Sequence, residues 1–202
     1  MESDGRDVSG VGVRVRRLGG RVEVEAALAL RERVFCGEQG VSLAAERDGR
    51  DAGACHLGAF DGRGTLIGTC RLLAGDGSEL VVQRVAVRAD RRGRGVGRAL
   101  MDAAAIEAGR RGVAGLELHA QLESEAFYVR LGFVRSGRPF LEEGIPHVGM
   151  RRELAGQAGQ AGQAGQVGQA GQAGQVGQAG QVGQVGQVGQ AGQVGQAGQA
   201  LS

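Results

Sequence analysis

Apolar and polar residues alternate along the first part of the chain in a pattern typical of strands. Residues 11–18, VGVRVRRL, alternate with period two and predict a first strand. In residues 22–40 the apolar side chains recur at helical spacing, which predicts a helix that stops at Gly37 or Gly40, followed by a loop. Two apolar runs in residues 54–73 flank the turn sequence DGRG and predict a β-hairpin.

In the second part of the domain, strands alternate with helices. Residues 79–87, ELVVQRVAV, are almost wholly apolar, as a central strand should be, and residues 96–112 place apolar side chains on one helical face. Residues 115–121 predict a further strand, 124–133 a short helix, and 146–154 a last strand. Hairpins followed by alternating helices and strands predict a mixed α/β sheet.

The composition changes abruptly after Leu154. From Ala155 an uncharged repeat of Ala or Val, Gly and Gln continues to Ala200. Glycine at every third position penalises a helix by about 1 kcal/mol per Gly relative to Ala, and the repeat lacks the prolines of a collagen helix. We therefore expect a flexible N-terminus over 1–10, a globular domain over 11–154 and a disordered low-complexity tail over 155–202.

Charge and composition exclude several classes of function. The 24 basic residues, all arginine, nearly balance 22 acidic ones, so the net charge of +2 gives no reason to expect a nucleic-acid partner. A signal peptide and an apolar run of about 18 residues are both missing, which predicts a cytoplasmic protein without a membrane partner. Three widely spaced cysteines, Cys36, Cys55 and Cys70, are expected to be buried thiols, and the scattered histidines predict no metal site.

The glycine-rich stretch RRGRGVGR lies between the apolar strand and the helix that follows it. Such a turn presents unpaired backbone N–H groups at the positive end of a helix dipole, an arrangement that binds phosphate. The alternative is a plain strand–helix turn with solvated arginines, whereas a flexible nucleic-acid arm fits poorly between core-like segments. The candidate phosphate-binding residues are Arg92, Gly93, Arg94, Gly95, Val96, Gly97 and Arg98.

The order of three motifs resembles the GNAT superfamily of N-acetyltransferases. An R-x-x-G-x-G pattern at 92–97 follows the run VAV at 85–87, and SEAFYVRLGF follows at 124–133. The segments VFCGEQGVS, HLGAFD, IGTCRLL, LHAQ and EEGIPHVGM resemble the ElaA-like branch of that superfamily. The resemblance covers residues 11–154 and implies one mixed, mostly antiparallel sheet flanked by helices.

The same resemblance implies acetyl-CoA as cosubstrate and assigns a role to each motif. Its pyrophosphate would bind at 92–98, and its pantetheine amides would pair with the backbone of Val85, Ala86 and Val87, where the fourth strand splays from the fifth. Gln121 stands where many relatives carry an asparagine that contacts the cofactor. Tyr128 occupies the general-acid position of the family; the alternative is a half-buried aromatic anchor.

The general base remains open at this stage. Some relatives carry it on the fourth strand, but Val81 and Gln83, taken to share a face with Val85, cannot serve, so this route would require Glu79 to reach in. The remaining candidates are His119, His147 and Glu143, because an imidazole titrates near neutral pH and a carboxylate accepts a proton.

Acceptor sites of the family are built from the segments corresponding to 36–51 and 137–150. Their acidic residues predict a cationic primary amine, on a small molecule or a protein, as acceptor; His56 either lines this side or lies in a solvated loop. The alternative function is a non-catalytic acyl-CoA-binding or interaction module, and the protein is expected to be a monomer or homodimer. The acidic residues concerned are Glu38, Glu46, Asp48, Asp51, Glu142 and Glu143.

Overall fold

The computed structural model describes residues 12–75 and 77–154, which form a seven-stranded sheet with flanking helices. The strand order is β1-β2-β3-β4-β5-β7-β6, and only the β4–β5 pair is parallel. The expected flexible N-terminus over 1–10 and the repeat tail over 155–202 lie outside the described residues. The strands are β1 (Arg14–Arg17), β2 (Cys55–Phe60), β3 (Leu66–Ala74), β4 (Glu79–Val87), β5 (Gly115–Gln121), β6 (Val134–Glu142) and β7 (Ile145–Glu153).

Among the described residues, four α-helices accompany the sheet. After α1 the helical run continues as a π-helix, Arg33–Glu38, before Gly40 turns the backbone to a φ of 72°. The predicted loop after it contains a short helix, α2, whose first turn is capped by the Ser42 hydroxyl accepting from the Ala45 N–H. The helices are α1 (Gly20–Glu32), α2 (Leu43–Glu46), α3 (Val96–Arg110) and α4 (Glu125–Val129).

The sheet is covered on both faces, as the uninterrupted burial of β3 shows. Added side chains at Gly68 would meet Val96 and Leu100 of α3, so the alternate residues of β3 on that face pack against α3. The larger core lies there and includes fully buried Leu100 and Met101. A smaller cluster of Leu30, Val34 and Ala86 joins α1 to β4 on the other face. Burial of each large aliphatic side chain contributes about 1.5–3 kcal/mol, so the two clusters fix both helices on the sheet.

The predicted mixed α/β fold is confirmed, but the hydrophobic pattern missed β6. This strand lies at the edge of the sheet and almost all of its residues are exposed. Because it buries neither face, its sequence carries no alternation of apolar and polar residues. The predicted last strand is therefore the second strand of a hairpin.

β4 and β5 separate after a short paired segment, and this separation creates the site. They pair only over Glu79–Val81 and Gly115–Glu117, so the edge of β4 from Gln83 to Val87 has no ladder partner in β5. A bulge lies at the same point, because Arg71 is opposite Gln83 whereas Thr69 is opposite Ala86. The β4 backbone is therefore open where the two strands diverge.

The bulge also corrects one sequence prediction. Leu80 and Val82 belong to the core on the α3 face, and Val85 packs against that same core. Val81 and Gln83 consequently do not share a face with Val85, because the extra residue reverses the alternation along β4.

Cys55 and Cys70 are buried and Cys36 is half-buried, all three as free thiols. Within residues 12–75 and 77–154, no helix is long and apolar enough to cross a membrane. No group of three or more His, Cys, Asp or Glu side chains in that same part of the chain is arranged to hold a metal ion.

Candidate active site

A cleft of about 820 Å³ opens between the splayed strands. The glycine-rich turn and the first residues of α3 form one end, and the cleft-facing side chains of β4 and β5 continue from it. The π-helix after α1 and the β6–β7 hairpin close its sides. Its lining includes most of the residues assigned to cofactor and catalysis from the sequence: Val85, Val87, Arg92, Gly93, Gly95, Val96, Gly97, Arg98, His119, Gln121, Tyr128 and His147.

Two of the predicted residues lie apart from the cleft surface. Ala86 is buried against Leu30 and Val34, so only its backbone is on the open edge of β4. Arg94 is exposed and does not line the cleft. Of the three arginines assigned to phosphate binding, Arg92 and Arg98 therefore line the cleft and Arg94 does not.

The glycines of the turn are required for two different reasons. Gly93 and Gly95 have φ values of 70° and 80°, a left-handed conformation that other residues adopt only at a cost. Gly97 instead packs against α4, because an added Cβ would lie 3.1 Å from Cζ of Phe127. The turn thus presents the N-terminus of the 15-residue helix α3 to the cleft, with Gly95 as its N-cap.

Glu38 and Gln39, in the segment after α1, contact both ends of the cofactor path, by which we mean the glycine-rich turn, the β4 edge at Val85–Val87 and Gln121. Glu38 accepts a 2.6 Å hydrogen bond from Arg92, which also donates to the Val87 carbonyl at 3.1 Å. Gln39 accepts a 2.9 Å hydrogen bond from the Gln121 amide. The side chains that the sequence assigns to the cofactor are therefore engaged by protein groups in this structure.

Tyr128 lies at the inner wall of the cleft, with only 7% of its surface exposed. Phe127 and Phe133 pack edge-on against its ring, with centroids 4.9 and 5.7 Å away. Burial, with a smaller contribution from Cys70, raises the pKa of the Tyr128 phenol above its ordinary value. The hydroxyl consequently remains protonated at neutral pH and is able to donate.

The two candidate histidines lie near each other across β5 and β7. Nδ1 of His119 is 3.0 Å from a carboxylate oxygen of Glu142, and Nδ1 of His147 is 2.8 Å from the Ile145 carbonyl. Glu143, the third candidate, is exposed in the turn between β6 and β7 and does not line the cleft. Of the three, the structure brings only the histidines to the cleft.

The acidic segment around α2 is not the free anionic surface that composition suggested. Glu46 is buried and pairs with Arg31 and Arg84, and Asp51 pairs with Arg31 and Arg71. Hydrogen bonding and charge from Arg71 hold the pKa of Asp48 well below its usual range. We call this group the buried ion network; its members are Arg31, Arg71, Arg84, Glu46, Asp48 and Asp51.

His56 is also unlike its sequence-based description. It is buried in β2, and its Nε2 is 3.1 Å from the Asp51 carbonyl oxygen, to which only a protonated nitrogen can donate. It does not line the cleft, so neither an acceptor-facing position nor a solvated loop describes it.

Several polar residues that line the cleft were given no role from the sequence. Glu117 precedes His119 by two residues on β5 and so shares its face, a signal that the strand alternation already contained. Gln39, Arg50 and Gln83 reach the cleft through the loops and the bulge, which no periodicity indicates. Glu142 was noted only as a charge, because its contact depends on hairpin register.

Comparison with known proteins agrees with this architecture. A family model described as an acetyltransferase (GNAT) domain matches residues 23–154, which is well over half of the chain. The chain belongs to the GNAT family of acetyltransferases. A second model, described as a collagen triple helix repeat, matches residues 151–201, a match that reflects glycine at every third position.

Individual GNAT proteins resemble the chain over nearly their whole length. YjcF, an uncharacterized N-acetyltransferase of Bacillus subtilis strain 168, is 32% identical over 133 residues, covering 65% of this chain and 93% of YjcF. An acyl-CoA N-acyltransferase of Pseudomonas aeruginosa is 34% identical with a TM-score of 0.61, covering 69% and 97% of the two chains. Escherichia coli ElaA is 28% identical with a TM-score of 0.62, covering 70% and 99%. The family uses acyl-CoA, so an acyl-CoA is the expected donor for this acyltransferase.

Proposed function

We propose that the protein is an N-acetyltransferase of the ElaA-like branch that transfers the acetyl group of acetyl-CoA to a primary amine by direct attack in a ternary complex. The open edge of β4 carries this proposal. It lies along a cleft that is also lined by the glycine turn and by Tyr128. The pyrophosphate of acetyl-CoA would meet the turn, its pantetheine arm the β4 edge, and its thioester sulfur Tyr128.

The residues of the turn suit the pyrophosphate. Arg92 and Arg98 line the cleft beside the start of α3, where the helix dipole adds a partial positive charge. The unpaired edge of Val85–Val87 offers backbone N–H and C=O groups to the pantetheine amides, as a missing strand would. Gln121 would contribute its amide once it is released from Gln39.

The bound thioester supplies the acetyl group, and the side chains of the cleft handle the protons. The attacking nitrogen must be neutral, so a base has to take a proton from it; His119 and His147 are the candidates. Tyr128 is protonated and would donate a hydrogen bond to the departing sulfur. Exclusion of water around the buried phenol strengthens that hydrogen bond.

The acceptor side supports an amine that carries positive charge. Two carboxylates, Glu117 and Glu142, are found among the described residues that line the cleft, and both lie on the β5–β7 side. The carboxylates around α2 contribute little, because arginines already pair with them. A screen should therefore include polyamines, aminoglycosides, amino acids and lysine peptides.

The test is acetyl-CoA turnover with that panel, combined with the variant Tyr128→Phe. The phenylalanine keeps the aromatic packing against Phe127 and Phe133, so the fold should be unaffected. We expect kcat to fall about 100-fold, since general acids contribute at least that much, while the KM for acetyl-CoA stays nearly constant. Equal turnover in the variant would leave Tyr128 a structural residue. Coenzyme A binding without turnover on any amine would instead favour a binding module.

A further inference from the structure

Three aromatic rings form a cluster on the acceptor side of the cleft. The Phe140 ring packs with His119 edge-on at 4.8 Å between centroids and with His147 nearly parallel at 6.2 Å. Strand register explains this neighbourhood, because His147 of β7 is opposite Phe140 on one side and Gln121 on the other. One phenyl ring thus holds both imidazoles in place.

The hydrogen bonds of the two histidines fix where their protons are. A carboxylate and a carbonyl oxygen can only accept, so Nδ1 carries the proton in both His119 and His147. In the neutral rings, Nε2 of each is then an acceptor with a free lone pair. Both residues line the cleft, so either could take a proton from an amine there.

The two histidines differ in the hydrogen-bond acceptor that the Nδ1–H of each one contacts. The Glu142 carboxylate carries a full negative charge, which stabilises the imidazolium that forms on proton uptake. The Ile145 carbonyl offers His147 only a dipole. A carboxylate behind an imidazole also holds the ring orientation, as in catalytic triads.

A single tight turn places both of these hydrogen-bond acceptors, the Glu142 carboxylate and the Ile145 carbonyl. Glu142 and Ile145 are paired at the end of the β6–β7 hairpin, and the two residues between them, Glu143 and Gly144, have φ values of 50° and 75°. Two consecutive positive φ values give a turn that matches the twist of a hairpin and fixes its register. A shift of one residue would remove the Glu142 contact with His119.

We propose that Glu142 is a positioning residue that makes His119, rather than His147, the general base of the acetyl transfer. This inference rests on the proposed function. As the amine nitrogen bonds to the thioester carbon and the carbon–sulfur bond breaks, one amine proton passes to Nε2 of His119. The sulfur leaves as a thiolate that accepts a hydrogen bond from Tyr128 and then takes a proton from solvent to give the free thiol. His119 returns the amine proton to solvent, so the protons balance.

The test compares Glu142→Gln and Glu142→Ala with Glu143→Gln as the matched control. We expect kcat/KM for the amine to fall about tenfold in both Glu142 variants, the lower end for such supporting groups, because the pair is half exposed. The loss should fall on kcat rather than on the KM for the amine, because the base acts only in the transition state. The KM for acetyl-CoA and all parameters of Glu143→Gln should remain those of the wild type.

A spectroscopic measurement makes the result independent of turnover. Long-range ¹H–¹⁵N correlation spectra report which imidazole nitrogen carries the proton. The Nδ1–H form of His119 should persist in Glu142→Gln, whose amide oxygen still accepts, and should give way to a mixture in Glu142→Ala. An unchanged tautomer in Glu142→Ala, or an unchanged kcat/KM for the amine in both Glu142 variants, would overturn the proposal. Failure of the wild type to acetylate any amine would overturn the proposed function while leaving the Glu142–His119 contact tested by the spectra.

Discussion

Replacement of Arg31 by methionine should destabilise the domain strongly, because Arg31 is a fully buried member of the ion network. Its guanidinium pairs with Glu46 and lies 2.6 Å from Asp51, and it donates to the Glu46 carbonyl at 3.2 Å. Methionine fills much of the same volume but removes one positively charged partner from each of two carboxylates, Glu46 and Asp51. Removal of one partner from a buried ion pair typically costs about 3–5 kcal/mol.

The remaining contacts set the expected value at the lower end of that range. Glu46 keeps Arg84 at 2.9 Å, and Asp51 keeps Arg71 at 3.1 Å. We therefore expect a loss of about 3 kcal/mol in the free energy of unfolding, or roughly 10 °C in Tm for a domain of this size. The control is Arg47→Met, which removes a 2.6 Å pair with Glu32 at the surface and should cost less than about 1 kcal/mol.

The loss of unfolding free energy in Arg31→Met should also depend on pH, and the raised pKa of Glu46 sets the sign of this dependence. Burial raises the pKa of this carboxyl and Arg31 lowers it, so the variant raises that pKa further. A raised carboxyl pKa means that the folded state binds the proton more readily than the unfolded chain, and stability is regained as pH falls. The Arg31→Met penalty should therefore shrink as the pH falls from about 7 to about 5. Urea unfolding at both pH values measures it; a loss no greater than that of Arg47→Met would refute the reasoning.

Two further variants address the cofactor path. Gly95→Val should raise the dissociation constant of coenzyme A at least about tenfold while the domain stays folded, because φ is 80° there although an added Cβ meets no atom within 4 Å. Calorimetric titration beside circular dichroism measures this, with Gly109→Val in α3 as control, and unchanged affinity would return the stretch to a plain turn. Glu38→Gln should tighten coenzyme A binding by up to about fivefold at low salt, since it removes the carboxylate that occupies Arg92 at the surface. Weaker binding than in the control Glu25→Gln would instead mean that Glu38 orients Arg92 for the phosphate.

The order of elements could be predicted from the sequence because most of them bury one face. The apolar run of β4, the helical face of α3 and the glycines that bound them all agree with the structure. β6 could not be found, because an exposed edge strand has no pattern to detect. The π-helix lies within the segment predicted as one continuous helix, and α2 lies in the predicted loop; neither departure is indicated by local propensity.

The candidate site was foreseen where a motif fixes its position and missed where a contact depends on register. Gly95, Tyr128 and the edge at Val85 follow from short motifs and lie on the cleft as expected. Charge counting failed around α2, because the arginines that neutralise its carboxylates come from α1, β3 and β4, far away in sequence. The same limit hid the contact between Glu142 and His119, which lie 23 residues apart.

The bulge connects the buried ion network to the cofactor path, and this connection gives the network a functional meaning. Arg84 has a φ of 53°, a conformation that costs a non-glycine residue of the order of 1–3 kcal/mol and persists only where its surroundings hold it. Its side chain donates to the Ala45 carbonyl at 2.7 Å and pairs with Glu46, so the segment around α2 supplies that support. The bulge in turn lies where the edge of β4 is open toward β5. The carboxylates around α2, which the sequence analysis assigned to the acceptor site, therefore pair with arginines and stabilise the backbone of β4 beside the cleft.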